Sequence, residues 1–124
     1  MPVATAGLQV KSLDRPEETR HFEKGRVDLA HVGESVVGRA TFQPGWKWSE
    51  CVKPLAGTDL CQQTHIGYVI SGRMAILMAD GTLKEAGPGD AMYCPPGHDA
   101  WVIGNEPVVT LDFAGMATYA KPGS

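Results

Sequence analysis

The chain has no apolar run that approaches the roughly 20 residues a helix needs to cross a bilayer. It has no basic excess either: 11 Lys and Arg stand against 14 Asp and Glu, a formal net charge of −3. That leaves no positive field to attract a nucleic acid. Cysteine is scarce, with three residues, an odd count without the spacing of a disulfide framework. The opening Met-Pro-Val-Ala-Thr-Ala-Gly lacks the basic start and apolar centre of a secretory signal. There is no internal repeat, no low-complexity tract and no long helical period. These absences predict a soluble cytoplasmic protein with reduced thiols that engages neither nucleic acid nor a membrane.

What is present suits one domain. The 124 residues are enough for a single core, and 43% apolar with 20% charged residues is ordinary globular composition. The 15 glycines and nine prolines favour turns over long helices. Residues 1–9 carry no pattern and read as a loose arm or an added edge strand. Residues 12–18 (Ser-Leu-Asp-Arg-Pro-Glu-Glu) fit either a capped helix start or a solvated turn.

From Arg26 the period becomes two. Val27, Leu29 and His31 alternate with Asp28, Ala30 and Val32, Gly33-Glu34-Ser35 turns, and residues 36–42 return as a second strand. Trp46 and Trp48 face one way and Lys47 the other, and residues 52–58 read as a loop. Met74, Ile76 and Met78 alternate on a strand that ends at Asp80-Gly81, a hairpin signal because glycine accepts positive φ. Further short strands follow over residues 83–86, 91–94, 98–103 and 108–113, and residues 116–124 form a polar tail. Eight or nine short strands with a turn every 8 to 12 residues predict an all-β antiparallel sandwich or barrel.

The main chemical signal lies in residues 59–72, Asp-Leu-Cys-Gln-Gln-Thr-His-Ile-Gly-Tyr-Val-Ile-Ser-Gly. Read as one strand, it puts Cys61, Gln63, His65, Gly67 and Val69 on one face and Ile66, Tyr68 and Ile70 on the other. A thiol and an imidazole then share the inner face of a buried strand. Free cysteine is commonly buried without any function, so a pair of satisfied core residues stands beside the metal-site reading.

Gly89-Asp90-Ala91-Met92-Tyr93-Cys94-Pro95-Pro96-Gly97 resembles the second motif of the cupins, in which Gly, five residues and Pro-x-Gly precede a histidine. The first cupin motif is matched by spacing more than by chemistry. Its glycine falls on Gly72, its glutamate on His65 and its two histidines on Asp59 and Cys61. The resemblance spans residues 36–113 and implies a cupin-type jelly-roll barrel over residues 26–115, with an amino-terminal arm over 1–25 and a tail over 116–124. Where the second motif calls for a further histidine this chain has Ala100, and the nearest imidazole is His98, on the same face of an extended chain.

The resemblance thus implies a metal site within the barrel, for which Cys61, His65 and His98 remain. A thiolate with two imidazoles suits zinc ahead of copper, iron or manganese. Asp59, Gln63, Trp48, Tyr68, Met78, Met92 and Trp101 are the candidate pocket-lining residues, giving mostly apolar, adaptable walls for a small organic ligand. No catalytic residue is assigned. Two functions compete: a small-molecule-binding module with or without a metal, which the lack of an acid and base pair favours, and a small metal-dependent enzyme with an open fourth ligand position. A homodimer is the expected assembly, with residues 108–113 and the amino-terminal arm taking part.

Overall fold

The computed structural model describes residues 7–117 and 119–121. The readings of residues 1–6 as an arm or edge strand, and of 118 and 122–124 as tail, lie outside the described residues. Within them the chain forms β1 (Glu18–Phe22), β2 (Gly25–Val32), β3 (Ser35–Phe42), β4 (His65–Ser71) and β5 (Met74–Met78). It continues through β6 (Leu83–Ala86), β7 (Ala91–Cys94), β8 (His98–Val102) and β9 (Val108–Asp112). Two short helices, α1 (Trp48–Cys51) and α2 (Lys53–Ala56), lie between β3 and β4.

The strands form a six-stranded sheet in the order β1-β2-β3-β9-β4-β7 and a three-stranded sheet in the order β6-β5-β8. Every pairing is antiparallel. The core lies between the sheets, where Val27, Leu29, Ala40 and Phe42 of the large sheet meet Met74, Ala100 and Val102 of the small one. Alternation decides which residues enter it. Along β9, Val108, Thr110 and Asp112 are buried while Val109 and Leu111 between them are only half-buried. The expected all-β jelly roll is the observed architecture.

Two segments differ from the expectation, and a third takes one of its two expected forms, the turn. Residues 59–72 are not one strand: β4 begins only at His65, and Cys61 instead makes an isolated bridge to His98. The stretch 52–58 contains α2, which has Pro54 in its first turn and ends at Gly57 with φ 79°. Proline's fixed φ suits a first turn, and glycine accepts the left-handed cap. Residues 12–15 turn, with the Arg15 N–H donating to the Ser12 carbonyl, and no helix follows. The chain then enters β1, because pairing with β2 satisfies its backbone over the full five residues.

The segment after β9 is docked. Met116, Tyr119 and Ala120 are buried. The Arg20 guanidinium donates to the carbonyls of Met116, Ala117 and Tyr119 at 2.7 to 3.0 Å and pairs with Glu18. This strap closes one end of the barrel. Gly115 makes the path possible: at φ 87° a Cβ there would run into the Thr64 carbonyl beside His65.

Candidate metal centre

Cys61, His65 and His98 converge inside the barrel. One ligand atom from each lies within 4.8 Å of the other two. Three pieces of backbone put them there. His65 opens β4 opposite Cys94 of β7, His98 opens β8, and the chain bends so that Cys61 is held against β8. The Cys61 N–H donates to the His98 carbonyl at 2.8 Å, and the Gly97 N–H donates to the Cys61 carbonyl at 2.7 Å. Convergence of the thiol and the first imidazole therefore comes from a bend and a bridge, not from strand alternation.

Each imidazole is oriented by an acceptor behind it. His65 Nδ1–H donates to Asp112 Oδ2 at 2.6 Å, and His98 Nδ1–H donates to the Pro95 carbonyl at 2.7 Å. Both rings therefore turn Nε2 to the site, and Nε2 of His65 is 3.6 Å from the Cys61 sulfur. Asp112 is fixed in turn, since its other oxygen accepts from the Ala114 N–H at 2.9 Å as β9 ends. An acceptor behind each ligating histidine is the usual outer arrangement of a metal site. The 3.6 Å separation also fits the roughly 3.5 Å expected between sulfur and nitrogen donors on one tetrahedral zinc ion. Soft sulfur, two nitrogens and their orienting acceptors fit a divalent metal.

The electrostatics follow from the same contacts. Burial pushes the Cys61 thiol up, but hydrogen bonds from His65 and His98, with their charges, outweigh it and bring the thiol down to about 6. Burial likewise disfavours a charged His65, yet its hydrogen bonds to Asp112 and Cys61 raise it to about 9. Without a metal the pair is thiolate and imidazolium. Cys94, nearby, is pushed up to about 11 by burial and by the charges of Asp112 and Cys61, and stays a thiol.

His65 and His98 border a cavity of about 50 Å³, several times the roughly 10–15 Å³ a single water requires, and Cys61 is buried behind them. Its other walls are mainly Phe42, Trp46, Trp48, Met74, Ile76 and Met92, with the Tyr119 ring 5.4 Å from that of His65. Ile76, Met92 and Cys94 also border an open cleft of about 490 Å³ between the facing edges of β6 and β7. The indole N–H groups of both Trp46 and Trp48 are buried without an acceptor, the only such side-chain atoms among the described residues. Each represents a desolvation cost of about 1–3 kcal/mol.

The expected lining residues divide. Trp48 and Met92 line the cavity, and Met78 lines the open cleft. Asp59 does not approach the site: its side chain is 98% exposed and pairs with Lys53 at 3.3 Å. Tyr68 lies on the opposite face of β4 with Ile66 and Ile70, all half exposed, because alternation that turns His65 and Gly67 inward turns Tyr68 outward. Trp101 alternates with the inward Ala100 and Val102 and carries Lys47 over its ring at 5.4 Å. Gln63 is half-buried outside the cavity wall. Asp112 and Tyr119 are the site residues that sequence reasoning missed. The only signal for Asp112 is a lone carboxylate on the inward face of an apolar strand.

No family model matches the sequence, and no curated protein matches it. Solved structures do match. An oxalate decarboxylase of Bacillus subtilis superposes with TM-score 0.58 and 26% identity over 83% of this chain. This chain spans only 29% of that protein's length. Another structure of that enzyme concerns its Mn(II) centres. The polyketide cyclase RemF of Streptomyces resistomycificus superposes with TM-score 0.61 and 17% identity over 87% of this chain and 79% of its own. The oxalate decarboxylase of Lactobacillus farciminis, in a formate complex, gives 0.59 and 16% identity over 94% of this chain and 37% of its own. These neighbours are cupin-fold proteins, and the architecture of this chain is the cupin jelly roll.

Proposed function

We propose that this protein binds a small molecule beside a divalent metal held by Cys61, His65 and His98. The observation that carries the reading is the pair of imidazoles whose Nδ1 atoms are both engaged, leaving two Nε2 atoms and a sulfur facing one another. Zinc is the ion this donor set suits best, since thiolate and imidazole favour a tetrahedral d¹⁰ ion over manganese, which prefers carboxylate and water. Bound there, the metal would supply a Lewis acid with its fourth position free for water or ligand. Binding without turnover is favoured by the walls: both Asp112 oxygens are engaged, and the Cys94 thiol keeps its proton. Burial likewise holds the Tyr119 hydroxyl protonated. Among the described residues the cavity offers no free acid and base pair.

The second reading, a metal-dependent enzyme, is favoured by one feature: three protein donors and an open fourth position are a catalytic arrangement. Elemental analysis of protein purified without an affinity tag, beside Cys61→Ala and His65→Ala, tests the metal in either case. One ion per chain that both variants lose is the expected result; metal-free wild-type protein would refute it. We also propose that the chain works in the cytoplasm, where three free thiols persist. Among the described residues, no helix is long and apolar enough to cross a membrane.

A further inference from the structure

From the two unpartnered indoles we infer the class of ligand: a compact, uncharged molecule whose carbonyl oxygen accepts from Trp46 and Trp48 while an apolar body fills the cavity. The inference rests on the metal reading above for one step, the charge count, and otherwise on the walls alone.

Neither indole is a surface accident. Trp46 and Trp48 are each only 2% exposed and both border the cavity that holds the Nε2 atoms. Both are held in place by backbone contacts to the small sheet. The Val102 N–H donates to the Trp46 carbonyl at 3.0 Å, and Lys47 between them bridges Trp101. The Ser49 N–H donates to Asp99 Oδ1 at 3.1 Å, which pins the start of α1 to β8. Trp46 also stacks on Phe42 with ring centroids 4.0 Å apart. Phenylalanine would supply most of this packing without a stranded donor, so the N–H groups are what tryptophan adds. Phe42, Met74, Ile76 and Met92 around them offer no oxygen acceptor, the Thr110 and Tyr119 hydroxyls that also line the cavity accept from neither indole, and the Asp112 oxygens are committed elsewhere. An acceptor must come from whatever fills the cavity.

Charge selects the kind of acceptor. A divalent ion, the Cys61 thiolate and the Asp112 carboxylate sum to zero, and among the described residues no Lys or Arg lines the cavity. An added carboxylate would be a buried net charge without a counter-ion, which is costly. A ketone, ester or amide oxygen has two lone pairs and no net charge, and it meets N–H donors as well as water does. The cleft that shares Ile76, Met92 and Cys94 with the cavity gives room for any larger apolar remainder.

The test uses the indole N–H resonances of 15N-labelled, metal-assayed wild-type protein, with the outward Trp101 as internal control. The probes are 2-butanone, butyrate and n-butylammonium. The expected result is saturable shifts of the Trp46 and Trp48 signals with 2-butanone alone, and about tenfold weaker binding in Trp46→Phe and in Trp48→Phe with metal content unchanged. No shift at saturating ketone would mean that water satisfies the indoles, and the inference falls. Equal response to butyrate or to n-butylammonium overturns the uncharged class. Should a variant fail to fold, the wild-type shifts still decide. Ketone shifts in protein without metal would refute the metal reading and leave the indole wall standing; bound metal with silent indoles would do the reverse.

Discussion

With Asp112 accepting from Nδ1 at 2.6 Å, His65 holds a proton on the nitrogen facing Cys61 up to about pH 9. Asp112→Asn keeps the shape and removes the charge. His65 should then titrate lower, the Cys61 thiolate should be less populated at neutral pH, and zinc affinity should fall about 10- to 100-fold. Thiolate absorbance and competition with a chromophoric chelator measure both, and unchanged affinity would rule out an orienting role for Asp112. The metal-free protein has a further signature. Taken alone, the thiol's shift from 9.0 to about 6 contributes stability that is complete above pH 9 and lost as pH falls through 6. Taken alone, the imidazole's shift from 6.5 to about 9 contributes stability that is complete below pH 6.5 and lost as pH rises through 9. Coupled, they cancel. Between 6.5 and 9 the unfolded chain carries thiol and neutral imidazole, and the folded chain carries thiolate and imidazolium, one proton in each case. Urea unfolding of the metal-free protein should therefore show no slope from this pair across that window, while alkylation of Cys61 should depend on pH with a midpoint near 6 rather than 9.

At the level of elements, the site depends on a strap the sequence does not announce. Arg20 on β1 holds three carbonyls of the segment after β9, and its side chain is only 9% exposed. Arg20→Gln should cost about 3 kcal/mol in urea unfolding, since hydrogen bonds to a charged, nearly buried group are among the stronger ones. It should also speed alkylation of Cys61, because Tyr119 would no longer be held over His65; unchanged alkylation would mean that the strap does not limit access. Period-two alternation made β2, β3 and β5 legible, a nearly continuous apolar run marked β9, and Gly33 and Asp80-Gly81 marked two of the turns. The four-residue helices α1 and α2 are too short to show a helical period, so they were read as extended chain and loop. Cys61 and His65 were legible because they fall on motif positions, and His98 because it shares a strand face with Ala100, where the motif calls for a histidine. The bend that joins them was not, because bridge formation between Cys61 and His98 depends on a partner 37 residues away. Arg20 and the carbonyls it holds are 96 to 99 residues apart, a pairing no local pattern encodes.

For the whole molecule, the two sheets leave one apolar surface uncovered. On the outer face of the large sheet, β4 exposes Ile66, Tyr68 and Ile70 by 43 to 50%, with Tyr93 at 67% on β7 and Phe113 at 51% just beyond β9. Ile66 faces Tyr93 and Tyr68 faces Leu111 across the ladders, so these side chains are contiguous, with no charged residue among them. Soluble monomers rarely expose such a patch over more than a few hundred Å². We propose that a second copy covers it through a two-fold, self-matching contact, which an uncharged patch permits without like-charge repulsion. β9 lies between β3 and β4, so it would contribute its outer face, not a free backbone edge. Sedimentation should show a dimer for the wild type and a monomer for Ile66→Asp combined with Tyr68→Glu, with the metal content of both unchanged because these residues face away from His65. A monomeric wild type would refute the pairing, and a double variant that stays dimeric would place the contact elsewhere. Metal loss in a folded double variant would show instead that the outer face supports the site, which the alternation of β4 does not predict.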